Sequence, residues 1–163
     1  MLSPSTGILL NDEMDDFNTG EKNEFDLPVS YANGIAPDKR PLSSMTPSVF
    51  TDDTGVRLVI GASGGPKILT ATAYTSLRQL WFGDNIKMAI DSCRPHDQLY
   101  PEQMVYEDGM PDQILVGLRA RHHNVTVQPK NIRGAVVMGI SRDRDGTIRA
   151  NSDYRKGGTI AGQ

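Results

Sequence analysis

Four carboxylate side chains crowd one short segment near the start of the sequence, Asn11-Asp12-Glu13-Met14-Asp15-Asp16-Phe17. Like charges this close repel one another unless a cation or several N–H donors lie among them. Glu13 and Asp16 are three residues apart, so one helical turn would place both on the same side, where they could bind an ammonium group. A calcium loop is a weaker interpretation, because the spacing is not that of an EF-hand. A solvated acidic loop is the remaining alternative.

Two adjacent serines, Ser43 and Ser44, lie in a segment that Pro41 and Pro47 stiffen. Their hydroxyl and backbone N–H groups can together hold a carboxylate, since each hydroxyl supplies a donor. The alternative is an ordinary turn, in which serine is a common residue. The pair is therefore a candidate anion-binding loop.

A glycine-rich turn, Gly61-Ala62-Ser63-Gly64-Gly65-Pro66, separates an apolar run from a helix-like segment. Glycines allow successive backbone N–H groups to point into one concavity, and the positive end of a following helix adds to the attraction for anions. Such a turn suits a phosphate, a carboxylate or a developing oxyanion. The alternative is a tight strand-to-helix connection without a ligand. The segment fits neither a P-loop nor a dinucleotide fingerprint.

A hairpin and a helix are predicted on the two sides of this turn. Residues 48–51 and 56–60 are strand-like runs separated by Asp52-Asp53-Thr54-Gly55, which is typical of a β-hairpin. Pro66 suits the first position of a helix that we predict to extend to about Phe82. The spacing of apolar side chains predicts which of them face inward: Leu69, Ala73, Leu77 and Leu80, with Ile68 and Trp81 beside them.

The remaining segments alternate between strand-like and helix-like patterns. The apolar run over residues 7–11 predicts a short buried strand. A second helix is expected after Asp84, its candidate cap, with Ile86, Ala89, Ile90 and Cys93 inward. A third helix is expected over residues 112–122, burying Ile114, Leu115 and Leu118. Further strands are predicted at residues 104–106, 124–127, 134–140 and 147–150, and residues 153–158 predict a flexible polar tail.

These elements favour an antiparallel sheet layered with helices, within one domain that spans residues 1–163. The formal net charge of −3 argues against a general nucleic-acid binder, which would show a basic face. The single cysteine, Cys93, excludes an internal disulfide and a cysteine-based zinc site. No metal-ligand spacing joins the three histidines, so we expect no metal and no cofactor. Asn124-Val125-Thr126 is an N-glycosylation sequon, relevant only to a secreted protein.

Taken in order, the acidic, serine and glycine segments resemble motifs of the small subunit of the gamma-glutamyltransferase (glutathione hydrolase) family, most closely its animal members. The resemblance covers essentially the whole chain. It extends through further motifs: Leu80-Trp81-Phe82-Gly83, Ala89-Ile90-Asp91, Pro95-His96 and Asp153-Tyr154-Arg155-Lys156-Gly157-Gly158.

The resemblance implies an α+β fold, the four-layer αββα sandwich of the N-terminal nucleophile hydrolases. It also implies a precursor that cleaves itself into a large and a small subunit. The new N-terminal threonine would attack the gamma-glutamyl amide of glutathione, with its own α-amino group as base. The acyl-enzyme would then pass the glutamyl group to water, an amino acid or a dipeptide.

Specific roles follow from the same resemblance. Glu13 and Asp16 are expected to hold the α-ammonium group of the glutamyl substrate, and Ser43 and Ser44 its α-carboxylate. The backbone N–H groups of Gly64 and Gly65 are expected to stabilise the oxyanion. These roles agree with the chemistry that each segment suggests on its own.

Other parts of the family's site are expected outside these 163 residues. The resemblance places the nucleophilic threonine, a second threonine and an asparagine upstream of Gly7-Ile8-Leu9, and a carboxylate-binding arginine in the large subunit. We therefore expect the 163 residues alone to be inactive. The alternative is a catalytically inactive, light-chain-like binding protein. The family implies location at the extracellular face of the plasma membrane, although residues 1–6 have no signal-peptide pattern.

Overall fold

The computed structural model describes residues 1–23, 25, 27–129, 132 and 134–162. The chain divides into two compact units, Met1–Ser43 and Ser44–Gln163.

The first unit consists mostly of loops around two short 3-10 turns, Glu13–Asp16 and Tyr31–Asn33. Phe17 is its one buried hydrophobic side chain among the described residues. The prediction of a buried strand over residues 7–11 is wrong, because Leu9 makes only an isolated antiparallel bridge with Leu2, and 78% of Leu9 is exposed. An apolar run is buried only where other apolar side chains pack against it, and Ile8 and Leu10 are exposed along with Leu9.

The second unit contains seven strands and three α-helices among its described residues. The strands are β1 (Ser48–Asp52), β2 (Gly55–Ser63), β3 (Pro95–His96), β4 (Met104–Tyr106), β5 (Val125–Val127), β6 (Val136–Arg142) and β7 (Ile148–Ser152). The helices are α1 (Lys67–Leu80), α2 (Ile86–Asp91) and α3 (Asp112–Arg119).

The larger sheet has the order β1-β2-β6-β7, and every neighbouring pair is antiparallel. The hairpins β1–β2 and β6–β7 thus join along the β2–β6 seam, which confirms the predicted antiparallel sheet. Gly55 in the first hairpin has a φ of +112°, a backbone conformation that residues with a Cβ atom rarely adopt. The smaller sheet has the order β3-β4-β5. Its strands β4 and β5 are parallel and are connected by α3, whereas the sequence predicts only antiparallel pairing.

Helices α1 and α2 cover one face of the larger sheet. Alternate residues of β2 and β6 face these helices, because successive strand side chains point to opposite faces. The resulting core cluster comprises Leu58, Ile60, Ala71, Ile86, Ile90, Ala135 and Val137. The predicted inward positions Ile86, Ala89 and Ile90 of α2 are confirmed as buried.

Helix α1 contacts the core through small side chains together with Ile68 and Leu80, which the prediction placed inward. Ala71, Thr72 and Thr75 are buried, whereas Leu69, Leu77 and Trp81 are exposed. The predicted inward positions are therefore confirmed for Ile68 and Leu80 and wrong for Leu69, Leu77 and Trp81. Small side chains let the helix lie close to the branched side chains of the sheet, and periodicity identifies an apolar stripe without identifying the surface that covers it.

The opposite face of the larger sheet is apolar and exposed. Val49 pairs with Val59, and Val59 pairs with Ile140, so these three side chains form one row across the sheet. Between 42% and 62% of each of these residues is exposed. We call Val49, Val59, Met138 and Ile140 the open sheet face.

Two predicted helix boundaries change. Asn85, not Asp84, caps α2 and accepts a hydrogen bond from the Met88 N–H at 2.9 Å, while Asp84 pairs with Arg78. Helix α3 ends at Arg119, earlier than predicted, and buries Leu115 but leaves Ile114 42% exposed.

Candidate functional site

The glycine turn connects β2 to the start of α1, as the sequence predicts. Gly64 and Gly65 have φ values of +135° and +60°, which are unfavourable for residues with a Cβ. A Cβ on Gly64 would lie 2.8 Å from the Ala135 Cα, so an added methyl group has no space there. Neither N–H donates to another described residue. These donors, followed by a helix N-terminus, form a suitable site for an oxyanion.

The acidic pair lies on the first 3-10 turn. In a 3-10 helix, residues three apart are eclipsed, so Glu13 and Asp16 project from the same side. Both residues are exposed, and neither carboxylate has an ion pair within the described part of the chain. The Asn11 Oδ1 accepts a hydrogen bond from the Glu13 N–H at 3.0 Å and thereby fixes the start of the turn. The predicted one-turn geometry is confirmed, and the ammonium-binding role stays a prediction.

A buried asparagine, Asn33, links the acidic turn to the segment that leads to the serines. Its Nδ2 donates to the Asp16 carbonyl oxygen at 2.7 Å, and its Oδ1 accepts from the Leu42 N–H at 2.8 Å. Ser43, which follows Leu42, is exposed. Asn33 was missed at the sequence level because nothing in its local pattern distinguishes it from a loop residue.

The candidate residues fall in both units. Glu13, Asp16 and Ser43 belong to the first, and the half-buried Ser44 and the glycine turn belong to the second. Within the first unit, Asn33 brings the backbone of the acidic turn and of the serine segment together. The substrate-binding and oxyanion roles of all six residues remain predictions.

The polar tail is fixed by a buried charge cluster, so the prediction of a flexible segment is wrong at Asp153 and Arg155. The Arg94 Nη2 donates to the Asp153 Oδ2 at 2.8 Å, and the Arg155 Nη2 pairs with the Glu107 Oε2 at 2.5 Å. Asp153 is fully buried, and 5% of the Arg94 side chain is exposed. The composition of the tail shows that it is polar. It does not show that its charged side chains form ion pairs with residues far away in the sequence.

The groups around Asp153 keep its carboxylate ionised. Burial acts to raise the pKa of Asp153, but the N–H groups of Val137 and Arg155 and the charge of Arg94 outweigh it, so the pKa is lowered from its ordinary value. The Val137 N–H donates to the Asp153 Oδ2 at 2.9 Å. The carboxylate is therefore stabilised as an anion inside the protein.

The charge cluster also supports the glycine turn. The Arg94 Nη2 donates to the Ala135 carbonyl oxygen at 2.9 Å. Ala135 is the residue whose Cα would obstruct a side chain at Gly64. Asp153 and Arg94 thus hold in place the backbone that packs against the turn.

Comparison with known proteins identifies the family. The sequence model of the Gamma-glutamyltranspeptidase family matches residues 1–163. Scoloptoxin SSD20 of Scolopendra dehaani is 48% identical over 162 residues, which cover 98% of this chain and 81% of that protein. Glutathione hydrolase proenzyme of Arthroderma benhamiae is 36% identical over 157 residues, which cover 95% of this chain and 26% of the proenzyme.

Similarity to solved structures points to the same family. The T380A mutant of Helicobacter pylori gamma-glutamyltranspeptidase has a TM-score of 0.82 and 31% identity, covering 93% of this chain and 83% of that one. These similarities confirm the predicted α+β class and the N-terminal nucleophile hydrolase fold. They also confirm the resemblance drawn from the ordered motifs: the chain belongs to the gamma-glutamyltranspeptidase family of enzymes.

Proposed function

We propose that this chain forms the glutamate-binding and oxyanion-stabilising part of a gamma-glutamyltransferase. The complete enzyme cleaves the gamma-glutamyl amide of glutathione and transfers the glutamyl group to water, an amino acid or a dipeptide. The observation that carries this proposal is the glycine turn, where Gly64 and Gly65 direct backbone donors next to a helix N-terminus. The chain spans about a quarter of the fungal proenzyme, so the activity belongs to a larger assembly.

Substrate binding would use opposite charges at the two ends of the amino-acid head. The exposed carboxylates of Glu13 and Asp16 bind the α-ammonium group through charge-assisted hydrogen bonds. Ser43 and Ser44 bind the α-carboxylate.

Catalysis would proceed through a threonine supplied upstream of Gly7. Its hydroxyl attacks the γ-carbonyl carbon while its own α-amino group takes the proton. The oxyanion accepts hydrogen bonds from Gly64 and Gly65. As the tetrahedral intermediate collapses, the amide nitrogen takes up the proton and leaves as an amine. Water or an acceptor amine then attacks the acyl-enzyme and restores the threonine.

The partner of this chain would be the large subunit of the same precursor, together with the segment bearing the threonine. The open sheet face supports this proposal, since an exposed apolar row across three strands is typical of a surface that another layer covers. A second sheet stacked on this face would complete the four-layer sandwich.

An extracellular position at the plasma membrane is part of the proposal. Among the described residues, no helix is long and apolar enough to cross a membrane. Asn124 of the sequon is exposed and therefore accessible to glycosylation. A glycan on Asn124 of the protein from its native source, detected by a mass decrease after glycosidase treatment, would support export.

The decisive experiment compares the reconstituted assembly with the 163 residues alone, using a gamma-glutamyl anilide as donor. We expect turnover only from the assembly, with sensitivity to the serine-borate inhibitor of this class. Lack of turnover by a correctly folded assembly would overturn the proposal. Serine-borate-sensitive turnover by the 163 residues alone would refute their expected inactivity.

A second candidate is a light-chain-like binding protein without activity. It is favoured by one observation, that the chain covers 81% of Scoloptoxin SSD20, a relative of comparable length. Calorimetry separates the two candidates: a binding protein would bind glutathione saturably as the 163-residue chain, whereas the first proposal expects binding only after assembly.

A further inference from the structure

Residues 44–47 continue the course of β1 toward the start of the chain, because they contain neither a turn nor a bend. Burial alternates along this stretch: the even-numbered positions from Ser44 to Phe50 are half-buried, and the odd-numbered positions between them are exposed. Successive side chains of an extended chain point to opposite faces, and Phe50 packs against the core cluster. Ser44 and Thr46 therefore face the layer of helices.

The register of the larger sheet leads Ser44 toward the glycine turn. Ser48 pairs with Ile60 in the antiparallel pair of β1 and β2. Along such a pair, a step backward on one strand accompanies a step forward on the other. Ser44 lies four residues before Ser48, and Gly64 lies four residues after Ile60. The proposed carboxylate-binding serine and the proposed oxyanion donors are thus brought to the same end of the sheet.

A pair of hydroxyl groups joins the segment of Ser44 to α1. The Thr46 Oγ1 donates to the Thr72 Oγ1 at 3.3 Å. Thr72 lies on the inward face of α1, and 3% of it is exposed. The helix begins at Lys67, directly after the glycine turn, so Thr72 lies only about 7.5 Å along the axis from that end, at a rise of about 1.5 Å per residue.

Thr46 satisfies the buried hydroxyl of Thr72. Within the described part of the chain, the Thr72 side chain has no other hydrogen-bond partner. The next inward hydroxyls of α1, those of Thr75 and Ser76, have no partner there at all. A buried hydroxyl that loses its partner is unfavourable, so this contact holds Thr46 against the helix. On the other side, the Ser48 Oγ donates to the Thr46 carbonyl oxygen at 3.1 Å and fixes the backbone before β1.

We propose that Thr46 and Thr72 are positioning residues, whose hydroxyl contact sets the distance between Ser44 and the glycine turn. Through Ser44, the pair places the α-carboxylate of the substrate relative to the oxyanion donors, although neither threonine touches the substrate in this role. The inference rests on the proposed function, and it adds two residues to which the family resemblance assigns no role. All of these residues belong to the second unit.

Steady-state kinetics of the reconstituted assembly, with a gamma-glutamyl anilide as donor, test this role. Thr46→Val is close in shape to the original side chain but removes the hydroxyl. We expect it to raise KM for the donor about fivefold to tenfold, as for the loss of one hydrogen bond, with a smaller change in kcat. Thr46→Ser keeps the hydroxyl and should restore KM. Thr51→Val, the same substitution at an exposed position of β1, is the matched control and should leave KM unchanged.

A second substitution, Thr72→Val, completes a double-mutant cycle. Because each single variant loses the same contact, the double variant should raise KM no further than either single variant. Additive increases in KM would show that the two threonines act independently and would overturn the proposal. A lowered thermal midpoint with an unaltered KM in both single variants would also overturn it, because the contact would then be only structural.

A crystal structure of the Thr46→Val assembly supplies a measurement that needs no activity. We expect Ser44 to lie farther from Gly64 than in the unsubstituted assembly crystallised under the same conditions. If the unsubstituted assembly does not turn over the donor, the proposed function fails, but a displaced Ser44 still supports the positioning contact. An unmoved Ser44 would overturn the inference even in an active enzyme.

Discussion

The side chain of Asn33 donates from Nδ2 to the carbonyl oxygen of Asp16 at 2.7 Å. Seventeen positions separate these residues, and the same amide accepts the Leu42 N–H. One buried side chain therefore sets the spacing between the carboxylate pair and the segment that leads to the serines. In the proposed enzyme, that spacing has to match the ammonium and carboxylate groups of one amino acid.

We predict that Asn33→Ala weakens donor binding more than turnover. The substitution leaves the Asp16 carbonyl and the Leu42 N–H unpaired, at about 1–3 kcal/mol for each group that stays buried. The reconstituted assembly should show a KM for the gamma-glutamyl donor raised roughly tenfold, with kcat changed less. Asn23→Ala, at an exposed asparagine of the same unit, is the control and should leave KM unchanged. An unaltered KM in Asn33→Ala would contradict the positioning role.

We predict that Gly64→Ala lowers kcat by about 100-fold or more, in the range seen when one oxyanion donor is lost. The new Cβ would lie 2.8 Å from the Ala135 Cα at a φ of +135°, so the turn has to move. Gly117→Ala in α3 is the control, because its Cβ meets only the end of Arg121 at an ordinary 3.5 Å. Steady-state kinetics on both variants test this, and near-normal kcat in a folded Gly64→Ala protein would exclude an oxyanion role for the turn.

Removing the buried carboxylate should destabilise the second unit strongly. Asp153→Asn removes the carboxylate that pairs with Arg94 at 2.8 Å and leaves only the more distant Glu107, at 3.8 Å. Breaking a buried pair in this way costs about 3–5 kcal/mol. Urea unfolding of the assembled protein near neutral pH measures the loss. Asp143→Asn disrupts the more exposed pair with Arg149 and should change the midpoint little. Equal shifts of the urea midpoint in the two variants would show that burial of the ion pair adds nothing to its contribution to stability.

The same carboxylate should make stability depend on pH. Its pKa in the folded protein is lowered from the ordinary value of 3.8, so its stabilising contribution is present above that value. The contribution decreases as the pH falls below about 4 toward the folded-state pKa, because the unfolded chain then binds the proton first. We expect the acid-induced loss of stability to be smaller in Asp153→Asn than in the unsubstituted protein, measured by urea midpoints across this range. Parallel curves for the two proteins would contradict this assignment.

The open sheet face should make the chain prone to aggregate without its partner. Val49→Thr combined with Val59→Thr should reduce self-association of the 163 residues, because it places hydroxyls in the apolar row. The same substitutions should weaken assembly with the large subunit. Sedimentation velocity measures both effects. Val116→Thr, at a 62% exposed position of α3, is the control. A chain that is monomeric and unfolds cooperatively by itself would contradict the expectation.

Local signals predicted much of the second unit. The Asp52–Gly55 turn, the strand before Gly64 and the helix after Pro66 each depend on neighbouring residues, and each is present. The positions of Glu13 and Asp16 on one turn also follow from their spacing. Such features are predictable because backbone geometry and turn chemistry operate over a few residues.

Long-range features were not predictable from those signals. The ion pair between Arg94 and Asp153 and the amide contacts of Asn33 join residues that no sequence period connects. The predicted inward face of α1 was wrong at Leu69 and Leu77 for a related reason. Its apolar stripe includes Leu69 and Leu77, but the sheet accepts the side with small residues, and only the tertiary arrangement determines that choice.

The β2–β6 seam has a consequence for the order in which the second unit folds. Each hairpin closes over a short loop, and α3 with β4 and β5 is also a local unit, so these pieces can form rapidly. The seam pairs Leu58 with Ser141, so forming it brings together strands that are separated by nearly the whole sequence between the two hairpins. Loop-closure entropy and high contact order therefore make this seam close more slowly than the hairpins. Until it closes, β2 and β6 each retain an unpaired edge, and this is the stage at which a newly made chain is most vulnerable to pairing with another.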